Sequence, residues 1–172
     1  MSQKAKAGYA AYCRQDFIGA DYGLVNYTTF EPSPDYWLLL LWKRLVGQKV
    51  LSVDQPLEAT TRAYAFCSTP SAPTSLGSAV LVLINLAEEE VCYSSPEGTT
   101  PGSNLIVYTL TPGAGGVESS SILFNGVPLA LDSSGKVPAI IGKAVPSSDG
   151  ITLPPLSVVF VLLPIQDLQV CT

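Results

Sequence analysis

The sequence predicts a mainly β protein, an antiparallel β-sandwich preceded by a single βα unit. Three observations predict it. From Val50 onward, short apolar runs rich in β-branched and aromatic residues are separated by Pro, Gly and Ser, the pattern of strands and turns. Asn125-Gly126 stands between two such runs, and both residues tolerate the positive φ that a two-residue hairpin needs. Ahead of them, residues 33–47 carry the start, stripe and stop of one amphipathic helix.

In chain order, Gly8 to Phe17 reads as a short mixed strand. Gly19 to Ser33, rich in Gly, Asn, Asp and Tyr, reads as a loop; binding residues concentrate on such loops when rigid elements display them. Ser33 can cap the helix that follows, Pro34 suits its first position, and Asp35 suits the positive end of the helix dipole. Leu38, Leu41, Trp42 and Leu45 fall at i, i+3, i+4 and i+7, an apolar stripe. Lys43 and Arg44 sit where cations are favoured, and Gly47 can supply a left-handed stop. One βα unit cannot bury both faces of its strand, so it implies a larger α/β body. Without that body, the stripe around Trp37 and Leu41 is expected to be bare and prone to aggregation.

The strands expected further on are Val50 to Val53, Arg62 to Cys67, Ala79 to Leu86, Glu90 to Tyr93, Leu105 to Leu110, Ser120 to Phe124, Val127 to Leu131 and Leu156 to Leu163. Polar linkers separate them at Ser68 to Ser78, Ser94 to Ser103, Pro112 to Ser119 and Asp132 to Gly150. AVLVLINL and LSVVFVLLP are apolar at nearly every position, which marks strands buried on both faces. One face can pack on an opposite sheet; the other needs a cover from outside the sandwich. No internal repeat is visible.

At 172 residues, with 13% charged and 47% hydrophobic residues, the chain can bury a sizeable core and is not a disordered polymer. The start, SQKAKAGYA, lacks the apolar run of a secretory signal. Leu156 to Leu163 is bracketed by prolines and holds eight residues, against the roughly 20 a spanning helix needs, so no transmembrane helix is expected. Residues 1–49 carry six Lys/Arg and four acids, a balance of +2, while residues 50–172 carry three and ten, a balance of −7. Neither half has the basic stripe that nucleic acid or a sulfated polyanion would require.

Several chemistries are closed off or bland. There is no histidine, so a Ser-His-Asp arrangement is impossible within the chain, and four cysteines without CxxC spacing do not make a zinc site. Cys13, Cys67, Cys92 and Cys171 allow three full disulfide pairings. Glu88-Glu89-Glu90 reads as a solvated turn, and Tyr36, Trp37 and Trp42 as core. Gly113-Ala114-Gly115-Gly116 precedes a strand-like segment rather than a helix, so it is not a phosphate cradle. Asn26-Tyr27-Thr28 is a glycosylation sequon, in keeping with a secretory route.

One stretch carries a family likeness. RQDFIGADYGLVN followed by PSPDYWLLLLWKRLVGQKVLSV resembles the last βα unit of the catalytic barrel in heparanase-like glycoside hydrolases, the family of heparanase and its plant β-glucuronidase relatives. AYAFCS, LVLINL, ILFNGVPLAL and the terminal Cys continue it more weakly, so it spans most of the chain. The resemblance implies two parts: residues 1–49, the last βα unit of an incomplete (β/α)8 barrel, and residues 50–172, an accessory β-sandwich whose outer cover is the neighbouring barrel. Met1 is then a gene-model start or a fragment boundary.

The resemblance also implies chemistry. The family hydrolyses β-linked glucuronic acid with retention, using two glutamates on earlier barrel strands. Nothing before residue 12 matches either motif, so no catalytic residue is assigned and the chain alone is expected to be inactive. Gln15 falls where the last barrel strand reaches the C-terminal rim, where barrel active sites lie, and its amide suits sugar hydroxyls. Tyr22 matches the family tyrosine of the following loop, with Ala20 and Asp21 preceding it where relatives often carry Gly-Asn; Asp21 adds negative charge that disfavours a nearby uronate or sulfate. Arg14 is expected to hold a structural carboxylate of the barrel.

The implied disulfide is Cys67–Cys171, and Asn26 is the expected glycosylation site. No metal or organic cofactor is expected. The expected partners are a glucuronic-acid-containing glycan or glycoside and the missing N-terminal barrel portion, with no nucleic acid. YCRQ and GADYGLVN resemble the plant members most, which implies cell-wall proteoglycans or phenolic glucuronides rather than heparan sulfate as substrates. The expected location is secreted or extracellular, in the cell wall or a vacuolar-lysosomal compartment, or membrane-associated. The alternative from a different class is a non-catalytic carbohydrate-binding or scaffolding β-sandwich module.

Overall fold

The structure is a computed structural model describing residues 1–54, 60–73, 79–165 and 168–171. Among these residues two α-helices, α1 (Ser2–Lys6) and α2 (Pro34–Leu45), are followed by ten strands: β1 (Val46–Leu51), β2 (Thr61–Ser68), β3 (Ala79–Asn85), β4 (Val91–Tyr93), β5 (Asn104–Pro112), β6 (Ile122–Phe124), β7 (Val127–Pro128), β8 (Lys143–Pro146), β9 (Ile151–Leu153) and β10 (Ser157–Leu163). The large sheet is open, eight-stranded and antiparallel, in the order β1-β2-β3-β10-β5-β6-β7, with β8 also paired to β5. A second sheet consists of β4 and β9. The mainly β, antiparallel class expected from the sequence is what forms.

Period-two alternation divides the large sheet into two cores. On one face Ala63, Ala65, Leu81, Leu83, Leu105, Val107, Val159 and Val161 pack with Ile151 and Leu153 of β9, with Val91 and Tyr93 of β4 against them. On the other face Phe66, Val80, Val82, Tyr108, Leu110, Phe160 and Leu162 pack with Leu41 and Leu45 of α2. The molecule is therefore three layers: helix, large sheet, small sheet. The central register sets Phe160 beside Val82 on one side and Tyr108 on the other.

The continuous apolar runs are buried on both faces, as expected. On the helix side Leu38, Leu41, Trp42 and Leu45 of α2, from the segment 1–49, cover the sheet together with Leu129 and Ile140. The stripe expected to be bare is closed, with Trp37 and Leu41 each 1% exposed. Trp42 meets Phe66 edge-on at 5.1 Å between ring centroids.

The expected strand Gly8 to Phe17 is not present; those residues are irregular. A lone strand has no ladder for its N–H and C=O groups, and the sheet edges here are antiparallel and elsewhere. The short helix α1 forms just ahead of it instead. Ser33 occupies the N-cap of α2, but its hydroxyl makes no capping bond; it donates to the carbonyls of Gly23 and Leu24 at 3.2 and 3.0 Å. The helix ends without a left-handed residue. Val46 is extended (φ −90°, ψ 120°), and the chain runs straight into β1. The orphan carbonyls of Arg44 and Leu45 are taken by Thr69, through its hydroxyl at 2.7 Å and its N–H at 2.9 Å.

Strand limits also moved. β1 begins at Val46 rather than Val50, and β7 stops at Pro128 rather than Leu131. The linker Asp132 to Gly150 contains β8, which pairs with Asn104–Val107 while β6 pairs with Leu110–Pro112, so one long β5 edge serves both. β9, paired with β4, was not anticipated; three residues are too few for a periodic signal. The Asn125-Gly126 turn is a hairpin with φ of 48° and 83°, and the Asn125 side chain also accepts from the Thr109 N–H at 3.0 Å. The last part of the Ser68 to Ser78 linker, residues 74–78, lies outside the described residues.

Candidate functional site

The loop from residue 14 to residue 35 is built around Arg14. Its guanidinium donates to the carbonyl oxygens of Gln15 and Tyr22 and to Asp35 Oδ2, the last from Nε at 3.3 Å and Nη2 at 3.2 Å. Cζ lies 5.9 Å from the centre of the Tyr22 ring. Arg14 was expected to hold a structural carboxylate, and its partner is Asp35 in the first turn of α2. Backbone bonds close the loop: Leu24 N–H to Asp16 O at 3.1 Å, Val25 N–H to Phe17 O at 2.9 Å and Gly23 N–H to Ala20 O at 2.9 Å.

Glycine makes the close turn possible. Gly19 has φ of 126°, and a Cβ on Gly23 would stand 3.0 Å from both the Ala20 carbonyl and Asp16 Oδ1. Among the described residues, Asp16 Oδ1 is buried with no hydrogen-bond partner. Sequence reading passed over Asp16. The signal available was its spacing from two glycines, which only the folded loop makes meaningful.

The predicted site residues share this loop. Gln15, Asp21 and Tyr22 are exposed, Tyr22 at 57%, and Ala20 is half-buried. The carbonyls of Gln15 and Tyr22 meet at one guanidinium, so the two residues start from a common anchor. Tyr9, Tyr12, Phe17, Tyr27 and Phe30 are also exposed along this segment. Beside it runs a groove of about 1250 Å³, lined by Tyr12, Arg14, Phe17, Tyr36, Trp42 and Lys43 among others. Gln15, Ala20, Asp21 and Tyr22 are not part of that lining.

Asn26 is exposed on the far turn of the loop. Its Oδ1 accepts from the N–H groups of Thr28 and Thr29 at 2.8 and 2.9 Å, so the amide nitrogen, the atom a glycan would join, is not used in these bonds. Cys67 at the end of β2 is bonded to Cys171, the pair that the family likeness singled out, while Cys13 and Cys92 are free and exposed. Among the described residues no group of His, Cys, Asp or Glu could hold a metal ion, and no helix is long and apolar enough to cross a membrane.

An open antiparallel sheet with an apolar helix on one face defines a class of fold, not an activity. Comparison with known proteins narrows it. The chain is 36% identical over 163 residues to a baicalin-β-D-glucuronidase of Scutellaria baicalensis, covering 91% of this chain and 30% of that protein. It is 33% identical over 178 residues to the heparanase of Mus musculus, covering 99% of this chain and 32% of that protein. It is 29% identical over 173 residues to the inactive heparanase-2 of Mus musculus, covering 93% and 29% respectively. The chain belongs to the heparanase and baicalin-β-glucuronidase family, and it spans about a third of the length of these relatives.

No protein-family model matches the chain. Among solved structures, a GH30 endoxylanase from Clostridium papyrosolvens C71 aligns with a TM-score of 0.45 at 16% identity, covering 83% of this chain and 30% of that one. Likeness at that level says nothing about function.

Proposed function

We propose that this chain is the C-terminal part of a retaining glycoside hydrolase that releases β-linked glucuronic acid. In this reading residues 1–49 complete a catalytic barrel, residues 50–172 brace it, and the glutamate pair lies on the portion of the protein that precedes this one. Gln15 and Tyr22, with Ala20 and Asp21 between them, form part of the substrate rim. The substrate is a glucuronic-acid-containing glycan or phenolic glucuronide, met on a secretory route that would also glycosylate Asn26.

The observation that carries the reading is the match to a baicalin-β-D-glucuronidase over 91% of this chain but 30% of that protein. A chain confined to that third has room for a rim and a brace. Geometry supports it too. The rim residues sit on open surface next to the groove rather than inside it, so a wall from elsewhere is needed to enclose a sugar. The Cys67–Cys171 bond suits an oxidising compartment.

Sequencing the transcript upstream of Met1 and assaying its full product on a chromogenic β-glucuronide tests the reading. The expected result is a reading frame with two barrel-strand glutamates, and turnover that falls when Tyr22 or Gln15 becomes Ala. Comparable turnover by the 172-residue chain alone would refute it. A second reading, a non-catalytic carbohydrate-binding or scaffolding module, draws on the match to a relative that is itself inactive. Retention of the 172-residue chain in affinity electrophoresis against plant polysaccharides, with no turnover by the full product, would favour it.

A further inference from the structure

The two rim residues depend on one side chain that the proposed reading leaves without a role. We infer that Arg14 is the positioning residue of the sugar-facing rim: its guanidinium fixes Gln15 and Tyr22 relative to each other and to α2. The inference rests on the rim reading above for its meaning, and on geometry for its mechanism. A guanidinium presents five N–H donors in a rigid plane. Here they reach the Gln15 carbonyl, the Tyr22 carbonyl and the Asp35 carboxylate. Those acceptors lie on the start of the loop, its tip and the first turn of the helix.

Three alternatives for Arg14 fail on the same geometry. A group that read a sugar carboxylate would have its donors turned outward, whereas these are occupied by the chain's own oxygens. An ion pair with Asp35 as the whole function is too weak, because the Asp35 side chain is 62% exposed and exposed pairs contribute little. A cation stacked on Tyr22 alone would not need the Gln15 contact. What remains is a fork whose shape matters more than its charge. Lysine, a single rotatable point charge, cannot reproduce it.

The test uses the 172-residue chain with Arg14→Ala, Arg14→Lys and Asp35→Asn, read by amide hydrogen exchange. The amides of Gly23, Leu24 and Val25 report the loop, and those of β3 and β10 report the sheet. Losing the fork should speed loop exchange by roughly tenfold in both Arg14 variants, while Asp35→Asn changes it by less than about fivefold. Exchange in β3 and β10 should stay as in the parent. In the full product, where the rim has its enclosing wall, both Arg14 variants should raise KM for a chromogenic β-glucuronide several-fold, while Asp35→Asn changes it little. Unchanged loop exchange in Arg14→Ala, or full protection in Arg14→Lys, overturns the positioning role whatever KM does. Faster loop exchange with an unchanged KM in the full product counts against the sugar rim and leaves the fork standing.

Discussion

Cys171 is bonded to Cys67 across 104 residues of sequence, so the 3-10 turn Gln169–Cys171 is held to the end of β2. That bond closes a loop containing β3, β5 and β10. On the chain-entropy account a loop of this length is worth about 4–5 kcal/mol, and native-state effects reduce it in practice. The Cys67→Ala/Cys171→Ala double variant should therefore lower the urea midpoint by the equivalent of about 2–4 kcal/mol. Cys13→Ser, at an exposed free thiol, should leave the midpoint unchanged. Equal midpoints for the double variant and the parent would show that the bond restrains little.

A second prediction concerns Asn85, which is fully buried at the end of β3. Its Nδ2 lies within hydrogen-bond distance of the carbonyls of Glu89, Leu153 and Pro154, at 2.8, 3.2 and 3.0 Å, and its Oδ1 accepts from the Ala87 N–H at 2.9 Å. One amide thus ties the large sheet to the end of β9. Asn85→Ala leaves buried groups without partners and should cost about 3 kcal/mol. Asn85→Asp places a carboxylate against carbonyl oxygens and should be worse at neutral pH than in acid. Urea titrations at two pH values measure both; an Asp variant as stable as the parent at neutral pH would contradict the bonding scheme.

What could be read from the sequence divides along a physical line. Continuous apolar runs and helical spacing are local, so the strands facing both cores and the stripe Leu38–Leu41–Trp42–Leu45 were legible. So was the hairpin at Asn125-Gly126, because its chemistry lies in two adjacent residues. The partner of an element is not local. Gly8 to Phe17 has strand-like composition but finds no ladder, and β8 and β9 are strands because β5 and β4 offer edges to them. Gln15 and Tyr22 were singled out through family likeness; the composition of the loop around Tyr22 marked a place for binding but no particular residue. The joint anchoring of their carbonyls by Arg14 depends on a loop geometry that no spacing rule encodes.

Gly47 supplies a third prediction, since its role is not the one its position after a helix implied. A Cβ there would stand 2.7 Å from the Cys67 carbonyl oxygen and 2.9 Å from that of Ser68, both main-chain atoms that cannot step aside cheaply. Gly126 has nothing within 4 Å of a Cβ but needs φ of 83°. The same change to Ala therefore acts by different means. Gly47→Ala should cost about 1–3 kcal/mol by collision. Gly126→Ala should cost about 1–2 kcal/mol by backbone strain alone. Asn at each position separates them: its tolerance of left-handed backbone should recover part of the loss at 126 and none at 47. Recovery at 47 would mean that conformation, not contact, is what glycine provides there.

Tyr108 gives a prediction in pH. It is 3% exposed in the core beneath α2, with its ring against Gly142. Burial pushes its pKa up from the ordinary 10.0, and a hydrogen bond from the Gly142 backbone pulls it partly back. For an acid raised in the folded state, both states are protonated below the ordinary value, and the contribution to stability is complete. Above it the unfolded chain releases its proton first, so stability falls as pH rises toward the folded value. Phe at 108 cannot ionise. The parent should therefore lose stability relative to Tyr108→Phe as pH rises above 10.0, because only the parent carries this titration. Comparing the two proteins cancels the alkaline behaviour of every other tyrosine and lysine. Parallel stability curves through that range would show that the Tyr108 hydroxyl titrates alike folded and unfolded, and that the core beneath α2 does not keep water from it.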